Sequence, residues 1–492
     1  MWQPSESRRT LVSTKIVITV GPATRAAEIL HRIIDEGADV ARFNFSHGSL
    51  ADHEQTLATL RRVVGEGGRP LALLGDLGGP KIRLAGVVKP LAIKAGEQVA
   101  IHRQGHRGPE NSLSTNYARF VDDVDVGHRV LIDDGNVHLL VTEKTEEQLF
   151  CTCTAGGAIA SQKGVNLPDT RLELDPITEF DRECVRWAIR HGLDYLALSF
   201  VHRAADLDRL RSFVDGKESP VHLIAKIERP AALDQIGAII EASDGLMVAR
   251  GDLGVEMDVA QVPMIQKDLI RRCRDAGKPV IVATQMLQSM IEKPGPTRAE
   301  VSDVANAIVD GTDAVMLSGE TSIGAHPVLA VHTVQRVAEH TEGYLSRQIP
   351  SPPLAIDRLD PLVCQAALAR GVWQMVHDLN VRALAVWSEN GRLARLFSNL
   401  RFRVPIAAFT NSPRVTRQMA LYYGVIPIRL ERPMHAEEIV AAMDATLVHR
   451  GIVDHGDLIV MVGVTLADGL ETLDGALVHA VGQTGAKSPP TG

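Results

Sequence analysis

At 492 residues and 45% hydrophobic side chains, the chain is long enough for about three domains with substantial cores. Its 52 lysines and arginines against 60 aspartates and glutamates leave a net charge of −8, which argues against a general nucleic-acid binder but leaves room for a local basic pocket. No apolar stretch reaches the roughly 18 residues a membrane helix needs. The opening MWQPSESRRTLVSTK has no apolar core, so no signal peptide is expected, and the five scattered cysteines suit a reducing cytoplasm.

Three short apolar runs come first: KIVITV (15–20), VARFNF (40–45) and LALLGDL (71–77). They are too continuous for one-sided antiparallel strands and fit parallel strands buried on both faces. From about 85 to 163 the pattern changes to alternating, β-rich stretches, including HRVLIDDGNVHLLVTE with DDGN as a hairpin turn. This segment predicts a small β-barrel or sandwich inserted as a cap. Within it Cys151 and Cys153 read as alternate positions on one strand, since tetrahedral zinc wants four ligands and no partner pair stands nearby. KGVNLPD (163–169) leads back, and a helix is expected within 175–192. Five more buried runs follow: YLALSF (195–200), HLIAKI (222–227), GLMVAR (245–250), PVIVAT (279–284) and AVMLSG (314–319). Eight such strands with helices between most of them point to a closed βα barrel, residues 1–84 and 164–346, interrupted by the insert at 85–163. A helix at 327–345 and a proline-rich linker precede a third unit, 357–485, whose strands and helices predict an open α/β layer; the last residues, GQTGAKSPPTG, read as a disordered tail.

In such barrels the chemistry sits at the carboxyl ends of the strands. Glu228 follows the fifth strand and Asp252 the sixth, so the two carboxylates can share a divalent ion, Mg²⁺ or Mn²⁺, that keeps open positions for water and substrate oxygens. The alternative is a pair of solvated loop acids at helix starts. Lys226 lies two residues before Glu228, so period-2 alternation points both to one face, and an interior lysine is costly unless an anion meets it. Arg42, Arg83 and Lys163 add cations, each of which alone would be read as a surface ion pair; together with a carboxylate-held metal they form a phosphate cradle. Gly251, beside Asp252, removes a Cβ where a ligand could approach the backbone. These residues describe a metal-assisted enzyme for a small phosphorylated or carboxylated molecule and do not name the reaction.

The ordered set TKIVITVGPAT, ADVARFNFSHG, GDLGGPKIR, QKGVNLPD, IAKIERP, LMVARGDLGVE, VIVATQML and PTRAEVSDVANAIVDGTDAVMLSGETSIG resembles the pyruvate kinase family over nearly the whole chain. The resemblance implies a TIM barrel with an inserted β-domain and a carboxyl-terminal α/β domain, as the patterning predicts. It implies transfer of the phosphoryl group of phosphoenolpyruvate to ADP, followed by protonation of enolpyruvate. On that pattern Glu228 and Asp252 hold the divalent ion, Lys226 neutralises the phosphoryl group in transit and Arg42 grips it. The amides of Gly251 and Asp252, with Thr284, receive the substrate carboxylate. Thr284 and Ser318 lie where the enol carbon is protonated. Asn44, Phe45, Ser46, His47, Arg83 and Lys163 face the nucleotide, under a lid formed by the insert. A cytoplasmic homotetramer is also implied.

Two departures stand out. Many members have a glutamate where this chain has Lys81 and bind K⁺ among residues matching Asn44, Ser46, Asp76 and the backbone of Leu77. A potassium-independent branch shares the lysine, and the chain is expected to belong to it; the alternative is a solvent-facing Lys81 with K⁺ still bound. In the third domain, Trp387 to Leu393 places Glu389 and Leu393 where activated members carry a hydroxyl-rich phosphate loop, which disfavours fructose 1,6-bisphosphate and leaves another sugar phosphate, AMP or no effector. Two other functions compete: a metal-dependent barrel lyase or aldolase working on a pyruvate enolate, and a non-catalytic metabolite sensor on a kinase scaffold.

Overall fold

A computed structural model describes residues 12–65, 68–85, 87, 90–104, 113–170, 172, 175–214, 221–347, 363–433, 436–463 and 475–483. The expected linker from 348 and tail from 484 lie outside the described residues.

All eight buried runs form strands of one closed parallel barrel: Lys15–Thr19, Val40–Asn44, Ala72–Asp76, Tyr195–Leu198, His222–Ile227, Gly245–Ala249, Val280–Ala283 and Ala314–Leu317. Nearly every residue in them is buried, because helices cover the outside while side chains fill the inside. The helix expected within 175–192 is Glu179–Arg190; Thr178 starts it by accepting from the Asp181 N–H, while Asp181 returns to the Thr178 N–H.

A repeated device closes the barrel's amino-terminal end. Asp39, Asp194, Asp244 and Asp313 each stand directly before an even-numbered strand. Each carboxylate accepts a backbone N–H from the neighbouring odd strand: Ile16 and Leu73 at 2.9 Å, Leu223 and Val280 at 2.8 Å. Burying a carboxylate is tolerable only with such donors and a cation. The cations are Arg69 for Asp39, Arg417 for Asp194, Arg211 for Asp244 and Arg401 for Asp313.

Two of those arginines, Arg401 and Arg417, belong to the carboxyl-terminal domain. Its sheet runs in the order Val425–Arg429, Ile406–Thr410, Ala383–Trp387, Leu458–Val462, Ala476–Ala480, parallel except for the last strand. The barrel's interior core continues into Met419, Ala420, Leu421 and Tyr422 of this domain. The Tyr195 hydroxyl donates to the Gln418 carbonyl at 2.6 Å, and the Lys15 ammonium to that of Val425 at 2.7 Å. The domain therefore plugs the end of the barrel opposite the strand carboxyl ends.

The inserted domain holds a seven-stranded sheet and a two-stranded one, Leu91–Ile93 with Gly157–Ile159, around its own core. Strands Arg129–Ile132 and Val137–Lys144 meet at the expected turn, where Asp133, Asp134 and Gly135 all take positive φ. Cys151 and Cys153 are alternate, inward-facing positions of Gln148–Ala155. The insert's sheet runs past the expected boundary, since Val165–Asn166 pairs with Arg129–Ile132, and the Asn166 amide donates to Glu256 of the barrel at 2.8 Å. No helix among the described residues is long and apolar enough to cross a membrane.

Candidate active site

At the carboxyl ends of the second to sixth strands the structure brings Arg42, Asp76, Lys226, Glu228 and Asp252 into one buried electrostatic cluster. The Lys226 ammonium lies 2.8 Å from Glu228 Oε1 and 3.0 Å from Asp76 Oδ1, and donates to Ser199 Oγ at 2.6 Å. Arg42 Nε donates to Asp76 Oδ2 at 2.6 Å, and another of its N–H groups to Thr19 Oγ1 at 2.9 Å. Asp76 thus bridges the two cations. Burial works against charge on both Lys226 and Asp76, yet the opposing partners win: the Lys226 pKa rises through Asp76 and Glu228, and that of Asp76 falls through Lys226 and Arg42.

Asp252 stands in the first turn of the helix Arg250–Glu256. Burial, and then the negative charge of Glu228, push its carboxyl up to about 6. Such mutual repulsion between carboxylates is what a shared divalent cation would relieve. The described residues hold no group of three or more His, Cys, Asp or Glu side chains suited to a metal. A metal here would therefore take two protein carboxylates, with other oxygens completing its shell, which suits Mg²⁺ or Mn²⁺.

Thr284 follows the seventh strand with φ of +67°, and Gln285 has +55°. A β-branched residue in this region is strained, as is common where a side chain is aimed at a ligand. The Gly251 N–H donates to Thr284 Oγ1 at 2.8 Å, and a Cβ on Gly251 would stand 3.3 Å from that oxygen. Arg250 braces the turn, donating to the Thr284 carbonyl at 2.8 Å and pairing with Asp303 at 2.7 Å. Ser318 caps the eighth strand; Glu320 accepts its N–H at 2.7 Å and that of Leu287 at 3.0 Å, tying the seventh and eighth strand ends together.

The family models of the pyruvate kinase barrel domain and the pyruvate kinase alpha/beta domain match residues 11–331 and 366–478. The chain belongs to the pyruvate kinase family. Pyruvate kinases of Staphylococcus epidermidis and Geobacillus stearothermophilus are 39% and 40% identical to it, over 97% and 91% of this chain and 82% and 77% of their own. The crystal structure of a pyruvate kinase from Cryptosporidium parvum superposes with a TM-score of 0.86 at 33% identity, covering 96% of both chains. The protein is accordingly an enzyme, a phosphotransferase.

The remaining residues expected at this pyruvate kinase site are more dispersed. Phe45, Ser46, Lys81 and Arg83 line a cleft of about 410 Å³ between barrel and insert, together with Asn116, Tyr117, Thr178, Phe180 and Asp181. Asn44 accepts the Ser46 N–H at 3.1 Å, and the Leu77 carbonyl accepts the Ser199 hydroxyl at 2.7 Å. Burial, then Lys81 and Arg83, depress the His47 pKa, so both cations act on its surroundings. The charge of Lys81 also acts on Asp252, although its own side chain is exposed. Lys163 pairs with Asp133 of the hairpin turn at 2.8 Å. Arg83 donates to the Gln162 carbonyl at 2.9 Å. Sequence reasoning missed Thr19 and Ser199, uncharged partners of the two central cations. Their signal was available: Thr19 and Ser199 both fall at the carboxyl ends of barrel runs.

Proposed function

We propose that the protein catalyses phosphoryl transfer from phosphoenolpyruvate to ADP, with enolpyruvate then protonated to pyruvate. The observation that carries this reading is the Arg42–Asp76–Lys226–Glu228 network next to Asp252: two buried cations held by carboxylates, beside a carboxylate pair suited to one divalent ion. When bound, that ion supplies Lewis-acid stabilisation of substrate oxygens; Glu228 and Asp252 would hold it. The Lys226 ammonium donates to Ser199 and lies in ion-pair contact with Glu228 and Asp76, so its charge is already buried and contact with a migrating phosphoryl group needs no charge to be newly buried. Arg42 adds a second cation for the same group. The substrate carboxylate would take the Thr284 hydroxyl and the Gly251 amide by displacing their present bonds to the Ala283 carbonyl and to Thr284 Oγ1, and Thr284 with Ser318 lines the position for proton delivery. Asn44 to His47, Arg83 and Lys163 receive ADP, and the inserted domain excludes water from the transfer.

Lys81 serves in this reading as a substitute for K⁺ near Asn44, Ser46, Asp76 and Leu77, so no monovalent ion is required. Its charge acts on Asp252 and His47, as this needs, while its exposed side chain is what the alternative, K⁺ still bound, expects. Glu389 is ion-paired with Arg432 in the third domain, which fits a loop that does not admit fructose bisphosphate. A homotetramer in the cytoplasm completes the proposal.

The test is pyruvate release by the purified protein with and without ADP and with and without Mg²⁺. Release must need both. Release from phosphoenolpyruvate without ADP would favour a lyase-like or phosphatase reaction, and no release under any condition would favour the sensor.

A further inference from the structure

The end of the fourth strand carries two residues that reach Lys226 and Glu228. Ser199 is buried, and its hydroxyl donates to the Leu77 carbonyl at 2.7 Å, which fixes the proton and leaves a lone pair for the Lys226 ammonium at 2.6 Å. Phe200 has φ of +55°, a left-handed conformation a bulky residue rarely adopts. In that conformation its N–H donates to Glu228 Oε2 at 2.8 Å, while Lys226 holds Oε1. Both carboxylate oxygens of Glu228 are thus oriented by different elements.

The strained backbone is held in place by packing. The Arg229 guanidinium lies over the Phe200 ring, 5.3 Å from its centroid. On the other side Gly79, itself at φ +63°, packs so closely that a Cβ there would stand 3.0 Å from the Phe200 ring and 3.4 Å from the Ser199 Cβ. The glycine-rich turn after the third strand therefore has a packing reason: it makes room for this dipeptide.

We propose that Ser199 and Phe200 are positioning residues: Ser199 fixes the Lys226 ammonium for the transferring phosphoryl group, and the Phe200 N–H, aimed by its left-handed backbone, fixes Glu228 for the divalent ion. The proposal rests on the metal-and-lysine reading above. A backbone donor predicts a signature that a loss of packing does not share. Phe200→Ala removes the ring but keeps the Cβ penalty, so the backbone relaxes and the N–H turns away. Phe200→Gly removes the ring equally yet accepts positive φ without strain, so the N–H stays.

The measurement is Mn²⁺ binding to the substrate-free protein, followed by electron paramagnetic resonance of free Mn²⁺, with circular dichroism to verify folding. Phe200→Ala should weaken Mn²⁺ binding about tenfold, the lower end of what losing an orienting partner of a metal ligand does. Phe200→Gly should stay within about threefold of wild type, the margin left by that tenfold scale. Ser199→Ala should leave Mn²⁺ binding unchanged, lower kcat about tenfold through the lost hydrogen bond to a charged group, and leave the KM for phosphoenolpyruvate nearly unmoved. Equal Mn²⁺ affinities for the alanine and glycine variants would overturn the role of Phe200, and an unchanged kcat in Ser199→Ala that of Ser199. If the wild type bound no Mn²⁺, the metal reading itself would fail and take the Phe200 proposal with it, while the kcat of Ser199→Ala would still report on the lysine.

Discussion

Replacing Lys226 by methionine tests the centre of the site, because the two side chains have similar length and the change removes charge with little cavity. The ammonium contacts Asp76 at 3.0 Å and Glu228 at 2.8 Å, and both acids are almost wholly buried. Removing one partner of a buried ion pair typically costs about 3–5 kcal/mol. Here each acid keeps one donor, Arg42 for Asp76 and the Phe200 N–H for Glu228, so a loss near the lower bound, about 3 kcal/mol, is expected. The catalytic loss is separate. One preorganised donor aimed at developing charge contributes roughly 10²–10³ in kcat, about 2.7–4 kcal/mol. We therefore expect kcat to fall at least about 100-fold, measured by coupling pyruvate formation to NADH oxidation. Lys226→Arg should not restore it, since a planar fork cannot reproduce three contacts made by a compact ammonium. A variant destabilised as expected but retaining kcat within about tenfold of wild type, short of the loss expected for a preorganised donor, would reduce Lys226 to a structural counter-ion and refute the reasoning.

Three further outcomes are expected. Asp252, raised to about 6 from an unfolded value near 3.9, is held at a cost of roughly 3 kcal/mol when ionised. A folded pKa above the unfolded one favours the protonated native state, so this contribution to stability weakens as pH rises from about 4 to 6. Divalent-ion binding should therefore release a proton near pH 6 and weaken below it, visible as buffer-dependent heats in titration calorimetry; a flat affinity from pH 5 to 8 would contradict the shift. Lys81→Glu should turn an enzyme indifferent to K⁺ into one activated by it, assayed in tetramethylammonium buffer with KCl added; strong K⁺ activation of the wild type would refute the substitution of ammonium for ion. Arg417→Met removes the cation paired with the wholly buried Asp194, at a cost of about 3 kcal/mol, and should lower the thermal midpoint by several degrees with kcat unaltered; an unchanged midpoint would show that the Leu73 N–H and the nearby charge of Arg414 suffice.

Much of this architecture was legible because a strand buried on both faces leaves a continuous apolar run that nothing else in the chain imitates. Lys226 and Glu228 could be paired from sequence because strand alternation is a hard geometric rule. The central role of Asp76 was harder to read: it was expected only beside a monovalent ion, whereas it bridges Arg42 and Lys226. That bridge joins the second, third and fifth strands, and no single stretch of sequence records such a register. Ser199 and Thr19 lie at the informative strand ends but were passed over because an uncharged hydroxyl there stands out less than a lysine or a carboxylate. Lys163, which alone reads as a surface ion pair, has such a partner in Asp133, but sequence spacing does not name it because the pair forms across the insert's fold.

The four aspartates at the other end of the barrel show how the fold separates durability from chemistry. Asp39, Asp194, Asp244 and Asp313 bind their neighbours' backbone N–H groups where strands enter, so each carboxylate is paired. At the exit end the acids are arranged differently: Asp76 is shared between two cations, and Asp252 is left beside Glu228 with its charge disfavoured. At the entry face burial also raises the Asp194 pKa, but a backbone N–H and Arg417 hold its charge; at the exit face Asp252 meets a second carboxylate instead. Frustration of this kind is tolerated only where a ligand relieves it. Because the carboxyl-terminal domain plugs the satisfied face, it stabilises the barrel without obstructing the end where substrates enter.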